Sequence, residues 1–261
     1  MPNTLLFSVA DNVATITFNR PQNMNSFNKE MADELEVVTE TARTDKTIRA
    51  VLLNGAGPLF MAGGDIEFFH ENIDKMPEGI LKIIHSLNAA IINIMQMGKP
   101  VVASVHGSVA GVGISLMSAC DLVIAADTTK FTTAYSGLGI SPDGGASYLL
   151  PRLVGTKKAM EWLMLSELFD AQTALTHGLV NWVVAPDLLA TETQRILKKL
   201  ATGPTQSYAN IKKFVNEGWQ NDFETHLERE GRGFESCSLT QDFKSGVTGF
   251  VKKHKPQFIG Q

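Results

Sequence analysis

Residues 101–127 read VVASVHGSVAGVGISLMSACDLVIAAD, and the class of fold turns on this stretch. It opens on an apolar run, Val101 to Val105, passes through a glycine-rich turn, and returns to an apolar run at Leu122 after Asp121. Apolar runs of this length bounded by turn residues are buried strands. The segment between them, SVAGVGISLMSAC, is expected to carry the chain through a glycine-rich turn into a short helix. Strands that alternate with helices mark an α/β core with partly parallel pairing.

Working outward, the N-terminal segments LLFSVA and VATITF alternate apolar and polar positions around Asp11-Asn12 and predict a hairpin. A helix is expected from Ser26 to about Ala42, with Phe27, Met31, Leu35 and Val38 at helical spacing. AVLLNGAG is a buried strand, and a long helix runs from about Pro77 to Met97. Beyond about residue 186 four segments, LLATETQRILKKLA, TQSYANIKKFVNEG, DFETHLEREGRGFESCSL and DFKSGVTGFVKKH, all read as helices with no strand between them. The expected organisation is a core over 1–196 and a helical region over 197–261 used for packing or assembly.

The chain has 261 residues, 44% hydrophobic and 19% charged, the make-up of an ordinary globular protein. A formal charge of −4 argues against a general affinity for nucleic acid or anionic membrane, so partners are expected to be small molecules. Cys120 and Cys237 stand outside any CxxC or Cys/His spacing, which predicts reduced thiols and no metal centre. The segment MPNTLLFSVADNV lacks a basic start and meets Asp11 early, so no signal peptide is expected. Asp121 interrupts the most apolar segment short of the roughly 20 residues a membrane helix needs. The expected location is the cytoplasm.

Two turns share one form: PLFMAGGDIEFF, residues 58–69, and HGSVAGVGISL, residues 106–116. Each places small residues where a strand gives way to a helix, whose first N–H groups have no intrahelical acceptor and suit anionic oxygen. Two such groups converging on one point would form an oxyanion hole. The alternative is that these glycines serve tight turns and close packing. Neither turn carries the Gly-Lys-Ser/Thr ending of a phosphate loop or a full dinucleotide fingerprint. A third stretch, LGISPDGGASYLLPRLVG at 138–155, has turn composition: Pro142 presets φ and Gly144 tolerates positive φ. Asp143 there suits either an N-cap for the helix ASYLL or chemistry.

The pieces ITFNRPQNMNSFN, FMAGGDI, KPVVASVHGSVAGVGISL, CDLVIAADTTKF, LGISPDGGASYLLPRLVG, HGLVNWVV and GFVKKHKPQF follow one another as in the crotonase, or enoyl-CoA hydratase/isomerase, superfamily, which the chain resembles from end to end. The resemblance implies a spiral of ββα units with a helical C-terminal region, assembly as a homotrimer or dimer of trimers, and acyl-CoA thioester substrates. Coenzyme A is then part of the substrate, and no separate cofactor is expected. The oxyanion amides would be those of Gly64 and Val112, although the family usually has glycine at the second place. Asn23, Met24, Ala62, Asp65 and Ile66 would line the coenzyme A path. Phe250 and Lys253 would reach its nucleotide end from a neighbouring subunit; a solvated basic end is the alternative for Lys253 in KKHK.

Hydratases of the family use two glutamates, at the places held here by Ser115 and Tyr135. Neither is a carboxylate, so the pair that activates water is missing; Ser115 is expected as a packing residue and Tyr135 as a substrate-binding pocket wall. Some isomerases of the family, acting on 3-enoyl-CoA or on the ring-epoxide thioester of phenylacetate catabolism, carry one acid/base carboxylate in the turn that holds Asp143. The resemblance therefore implies isomerisation through a thioester enolate, with Asp143 moving the proton. Three alternatives stand beside it: a hydratase with atypical residues, a dehalogenase-like hydrolase whose helper Trp and His would fall on Tyr135 and Asn88, and a non-catalytic thioester-binding protein.

Overall fold

The N-terminal hairpin closes because Asp11 and Asn12 adopt left-handed φ values of 50° and 62°, the geometry that a two-residue hairpin turn requires. It joins β1 (Leu5–Ala10) to β2 (Val13–Phe18), paired antiparallel from Leu5↔Phe18 to Ala10↔Val13. On β2, Ala14, Ile16 and Phe18 are fully buried, the period-two pattern of a strand with one face on the core. The computed structural model describes residues 4–261; Met1, Pro2 and Asn3, the start of the segment read for a signal peptide, lie outside the described residues.

The remaining strands are β3 (Ala50–Gly55), β4 (Val101–Val105), β5 (Ser108–Ala110), β6 (Leu122–Ala126), β7 (Lys130–Thr132), β8 (Phe169–Asp170) and β9 (Trp182–Val184). The helices are α1 (Lys29–Thr44), α2 (Ile66–Glu71), α3 (Met76–Gln96), α4 (Val112–Ala119), α5 (Ala146–Val154), α6 (Thr156–Leu165), α7 (Ala171–Thr176), α8 (Leu189–Ala201), α9 (Thr205–Glu217), α10 (Phe223–Ser238) and α11 (Gln241–Val251). One sheet has the order β1-β2-β3-β4-β6-β9 and a smaller one the order β5-β7-β8. From β2 to β9 the larger sheet is parallel. Successive turns of the chain contribute to both sheets where β4 leads into β5 and β6 into β7. This is the spiral of ββα units that the sequence implied.

Helix α1 begins at Lys29, three residues later than the spacing predicts, because the Asn28 side chain accepts a hydrogen bond from the Met31 amide and caps it. Its buried face, Met31, Ala32, Leu35, Thr39 and Ala42, joins the main core with Phe18, Phe60 and Leu53. Behind the larger sheet, Ile196, Leu197 and Ala201 of α8 pack on Ala50, Leu52, Val102 and Ile124. The expected boundary at 196/197 therefore falls inside α8, whose apolar face belongs to the sheet. The helices beyond it are tied to the same sheet: Arg49 donates to the carbonyls of Gly203 and Phe258, and the Asp242 carboxylate accepts from the amides of Ile259 and Gly260 at 2.7 and 2.9 Å. Among the described residues no helix is long and apolar enough to cross a membrane.

Candidate active site

Strand register brings the two glycine-rich turns together. A parallel bridge pairs Met61 with Val109, so the residues three further along each segment, Gly64 and Val112, lie side by side. Between them Gly63 and Gly111 face each other so closely that a Cβ on Gly111 would sit 3.4 Å from the Gly63 Cα. Gly111 has φ 51° and ψ −121°, a conformation that side chains avoid, and it turns the chain into α4. Val112 is the first residue of that helix, and Gly64 sits in a bridge to Phe27 whose hydrogen bonds use the neighbouring Gly63 carbonyl and Asp65 amide. Among the described residues neither the Gly64 nor the Val112 amide donates to any protein acceptor.

These two residues line a cavity of about 80 Å³ together with Tyr135 and Asp143. Its walls are otherwise apolar, with Phe69 from α2 and Ile80, Ile83 and Leu87 from α3. Larger hollows of about 510–570 Å³ lie among α9, α10 and α11 and beside α3 and α5, but none contains the paired amides or Asp143. The smaller cavity is the one that brings the paired amides and the carboxylate together.

Asp143 does not cap α5. Gly145 holds the N-cap position without a side-chain bond, and only the Asp143 carbonyl takes part in the turn, accepting from the Ala146 amide at 3.1 Å. The carboxylate points elsewhere: Oδ1 accepts from the Tyr135 hydroxyl at 2.8 Å. Gly144, at φ 53°, lets this turn close on α4, since a Cβ there would lie 2.9 Å from the Ser115 Cβ. Burial pushes the Asp143 carboxyl above its ordinary range, and the Tyr135 hydroxyl and the residue's own amide pull it partly back. Burial, reinforced by the Asp143 charge, drives the Tyr135 phenol far above its ordinary value, so it remains a neutral donor.

Ser115 is more than the packing residue the sequence suggested. Its fully buried side chain places Oγ 2.8 Å from the Tyr135 hydroxyl and 3.0 Å from the Asp143 carbonyl oxygen. The two positions where hydratases carry glutamate thus hold two hydroxyls bonded to each other and to Asp143. The apolar wall from α3 was also not singled out in the sequence, although Ile80, Ile83 and Leu87 repeat at helical spacing and carried the signal.

Asn23, Met24, Ala62, Asp65 and Ile66 form one continuous edge: the Ala62 amide donates to Met24, Phe27 to Gly63 and Asp65 to Phe27. Ala62 and Ile66 line the cavity, while Met24 is exposed. The Asp65 carboxylate is engaged structurally, paired with Arg20 at 2.9 Å and capping α2 through the Phe68 amide. Phe250, 87% exposed, and Lys253 belong to the C-terminal end and do not line the cavity of their own chain.

Residues 8–261 match the family described as enoyl-CoA hydratase/isomerase. The chain is 35% identical to the 1,2-epoxyphenylacetyl-CoA isomerase of Escherichia coli, covering 100% of both chains. It is 34% identical to the trans-2-decenoyl-[acyl-carrier-protein] isomerase of Streptococcus mutans, covering 98% of each. The crystal structure of an enoyl-CoA hydratase from Polaromonas superposes with a TM-score of 0.93 at 31% identity, over 97% of this chain and 99% of that one. With paired amides, spiral topology and full-length similarity in agreement, the chain belongs to the enoyl-CoA hydratase/isomerase family.

Proposed function

We propose that this protein is an isomerase of enoyl thioesters that moves a double bond from C3–C4 to C2–C3, with the related ring-epoxide isomerisation as an alternative substrate chemistry. One observation carries the reading: among the described residues Asp143 is the single carboxylate lining the cavity that holds the unpartnered Gly64 and Val112 amides. The thioester oxygen accepts from these amides. Asp143 removes a proton from C2, the resulting dienolate is held as an oxyanion, and the protonated Asp143 returns the proton at C4. Hydration requires groups that activate water and protonate carbon, and the hydroxyls at both hydratase positions are engaged with Asp143. The steps need no cofactor beyond the thioester carrier.

The carrier is coenzyme A in this reading, with Asn23, Met24, Asp65 and Ile66 bordering its path. The relatives named above act on either a coenzyme A thioester or an acyl-carrier-protein thioester, so both carriers belong in the test. Homotrimeric assembly, or a dimer of trimers, is part of the proposal; the exposed Phe234, Leu239, Phe250 and Val251 are apolar groups that such contacts would cover, with Phe250 and Lys253 offered to a neighbouring site.

The experiment follows conjugation of a 3-enoyl thioester by ultraviolet absorbance, on each carrier. Native protein is expected to turn over, and Asp143→Asn to lose about 10²- to 10⁴-fold in kcat, the usual worth of a general acid/base. An Asp143→Asn variant as active as native overturns the assignment, and hydration of the 2-enoyl thioester outpacing isomerisation replaces it with a hydratase.

A further inference from the structure

We propose that Tyr135, steadied by Ser115, is a positioning residue that occupies one carboxylate oxygen of Asp143, so that the other, Oδ2, carries the proton in both directions. This deepens the isomerase reading and rests on it.

The inference follows from counting hydrogens. Three contacts join Ser115, Tyr135 and Asp143: hydroxyl to hydroxyl at 2.8 Å, Tyr135 to Oδ1 at 2.8 Å, and Ser115 to the Asp143 carbonyl at 3.0 Å. Each hydroxyl has one hydrogen to give. The Tyr135 hydrogen is committed to Oδ1, and among the described residues no other donor side chain reaches the carboxylate. The single Ser115 hydrogen therefore serves two acceptors, the Tyr135 oxygen and the Asp143 carbonyl. Having given its own hydrogen to Oδ1, the Tyr135 oxygen meets Ser115 only as an acceptor, so the Ser115 hydrogen is shared between that oxygen and the Asp143 carbonyl, and its share at Tyr135 strengthens the bond to Oδ1.

Among the described residues nothing else competes for the carboxylate. From Val112 to Ala119, α4 carries no ionisable side chain. On α2 and α3 the cavity-facing residues are apolar, while Glu67, His70, Lys82 and His85 are exposed. Residues 136–142 contain no charge, and Arg152 of α5 stacks over the Tyr148 ring at 3.4 Å. The ring of Tyr135 is 4% exposed, so its hydroxyl cannot swing to water without disturbing the core. Oδ1 is thereby fixed as an acceptor and the carboxyl rotamer with it.

The proton balance is then simple. The C2–H bond breaks and an Oδ2–H bond forms, while the electron pair left on C2 delocalises into the thioester oxygen. Next the Oδ2–H bond breaks, a C4–H bond forms with the former C3–C4 π pair, and the new double bond joins C2 to C3. Nothing is oxidised or reduced, and Asp143 ends ionised as it began.

A 3-enoyl thioester carrying two deuterons at C2, turned over in H2O, reads this directly. Native protein is expected to deliver deuterium to C4 of the product, because the same oxygen accepts and returns it in a water-poor cavity. Tyr135→Phe keeps the ring but frees the carboxyl to rotate, so the deuterium reaching C4 should fall at least about twofold, and kcat about tenfold with KM near native. Its kcat/KM profile should also lose activity at a higher pH on the acid side, since the lost donor favoured the ionised carboxyl. Ser115→Ala should shift both readouts the same way by less. Native protein that delivers no deuterium to C4, or Tyr135→Phe with native label transfer and pH profile, overturns the positioning role. Asp143→Asn run alongside keeps the two ideas apart, because its activity reports on the isomerase reading alone.

Discussion

Helix α4 has a carboxylate near either end, and the two are held in opposite ways. Past its C-terminus, Asp121 accepts from the Val101 amide at 2.7 Å and from the Lys212 ammonium at 2.8 Å. At its N-terminal half, Asp143 meets only the hydroxyl of Tyr135 and its own backbone, beside two amides with no acceptor. Burial pushes both carboxyls upward, but at Asp121 a cation pulls back, and at Asp143 a neutral phenol does. A charge meant to be permanent is given a counter-ion. In the proposed mechanism the Asp143 charge comes and goes, and it has a neutral donor, with the nearby amides left for the oxyanion of the reaction.

The largest expected effect breaks the permanent arrangement. Lys212 is 7% exposed at its side chain, and it also donates to the Ile94 carbonyl at 2.6 Å. Lys212→Met leaves Asp121, whose side chain is 24% exposed, without its cation and the Ile94 carbonyl without this donor, and is expected to cost about 2 kcal/mol in urea unfolding. The isomerisation rate per folded molecule should stay near native. Adding Asp121→Leu should restore much of the stability, because removing both partners of a buried pair costs less than removing one. A single variant with native stability would show that the pairing at this end is not what separates the two carboxylates.

An effect on rate rather than on stability tests the unpartnered amides. Val112 stands at the first position of α4, where proline is tolerated because its missing N–H had no intrahelical partner. Val112→Pro therefore removes an oxyanion donor while keeping the helix start, and kcat is expected to fall about 10²- to 10³-fold. Val112→Ala retains the N–H and should retain the rate. Equal rates in Val112→Pro and Val112→Ala would remove this amide from the mechanism.

How much of this contrast was legible in the sequence depends on the length scale of each feature. The hairpin at Asp11-Asn12, the buried strands β3, β4 and β6 and the long helix α3 were readable because apolar periodicity is local. The glycine-rich turns were readable as donors of unused amides, but their convergence depends on the Met61↔Val109 register, which no local signal carries. The three-residue β5 and β7 and the two-residue β8 are too short to leave a pattern. Asp143 also suits an N-cap on local composition, and the outcome rests on the left-handed Gly144 and Gly145 delaying the helix start. Ser115 was read as packing because its partners lie 20 and 28 residues away. The expected division at 196/197 followed a change in element type, whereas the core follows α8 across it.

The smallest effect concerns stability at the functional end, where the raised carboxyl has no cation beside it. A carboxyl whose folded pKa lies above its unfolded value, roughly 3.9, favours the fold fully only below that value, and loses this contribution as pH rises through the folded pKa. At pH 7 the ionised Asp143 thus weighs against the native state. Asp143→Asn removes the charge and keeps an amide oxygen to accept from Tyr135, so it should unfold at a higher temperature than native at pH 7, a gain of about 1 kcal/mol. The gain should shrink toward pH 4 in differential scanning calorimetry. Asp121→Asn should do the reverse at pH 7, because it strands the buried Lys212. If both substitutions shift the melting temperature in the same direction, the two ends of α4 hold their carboxylates alike, and the contrast between a paired and a titrating acid fails.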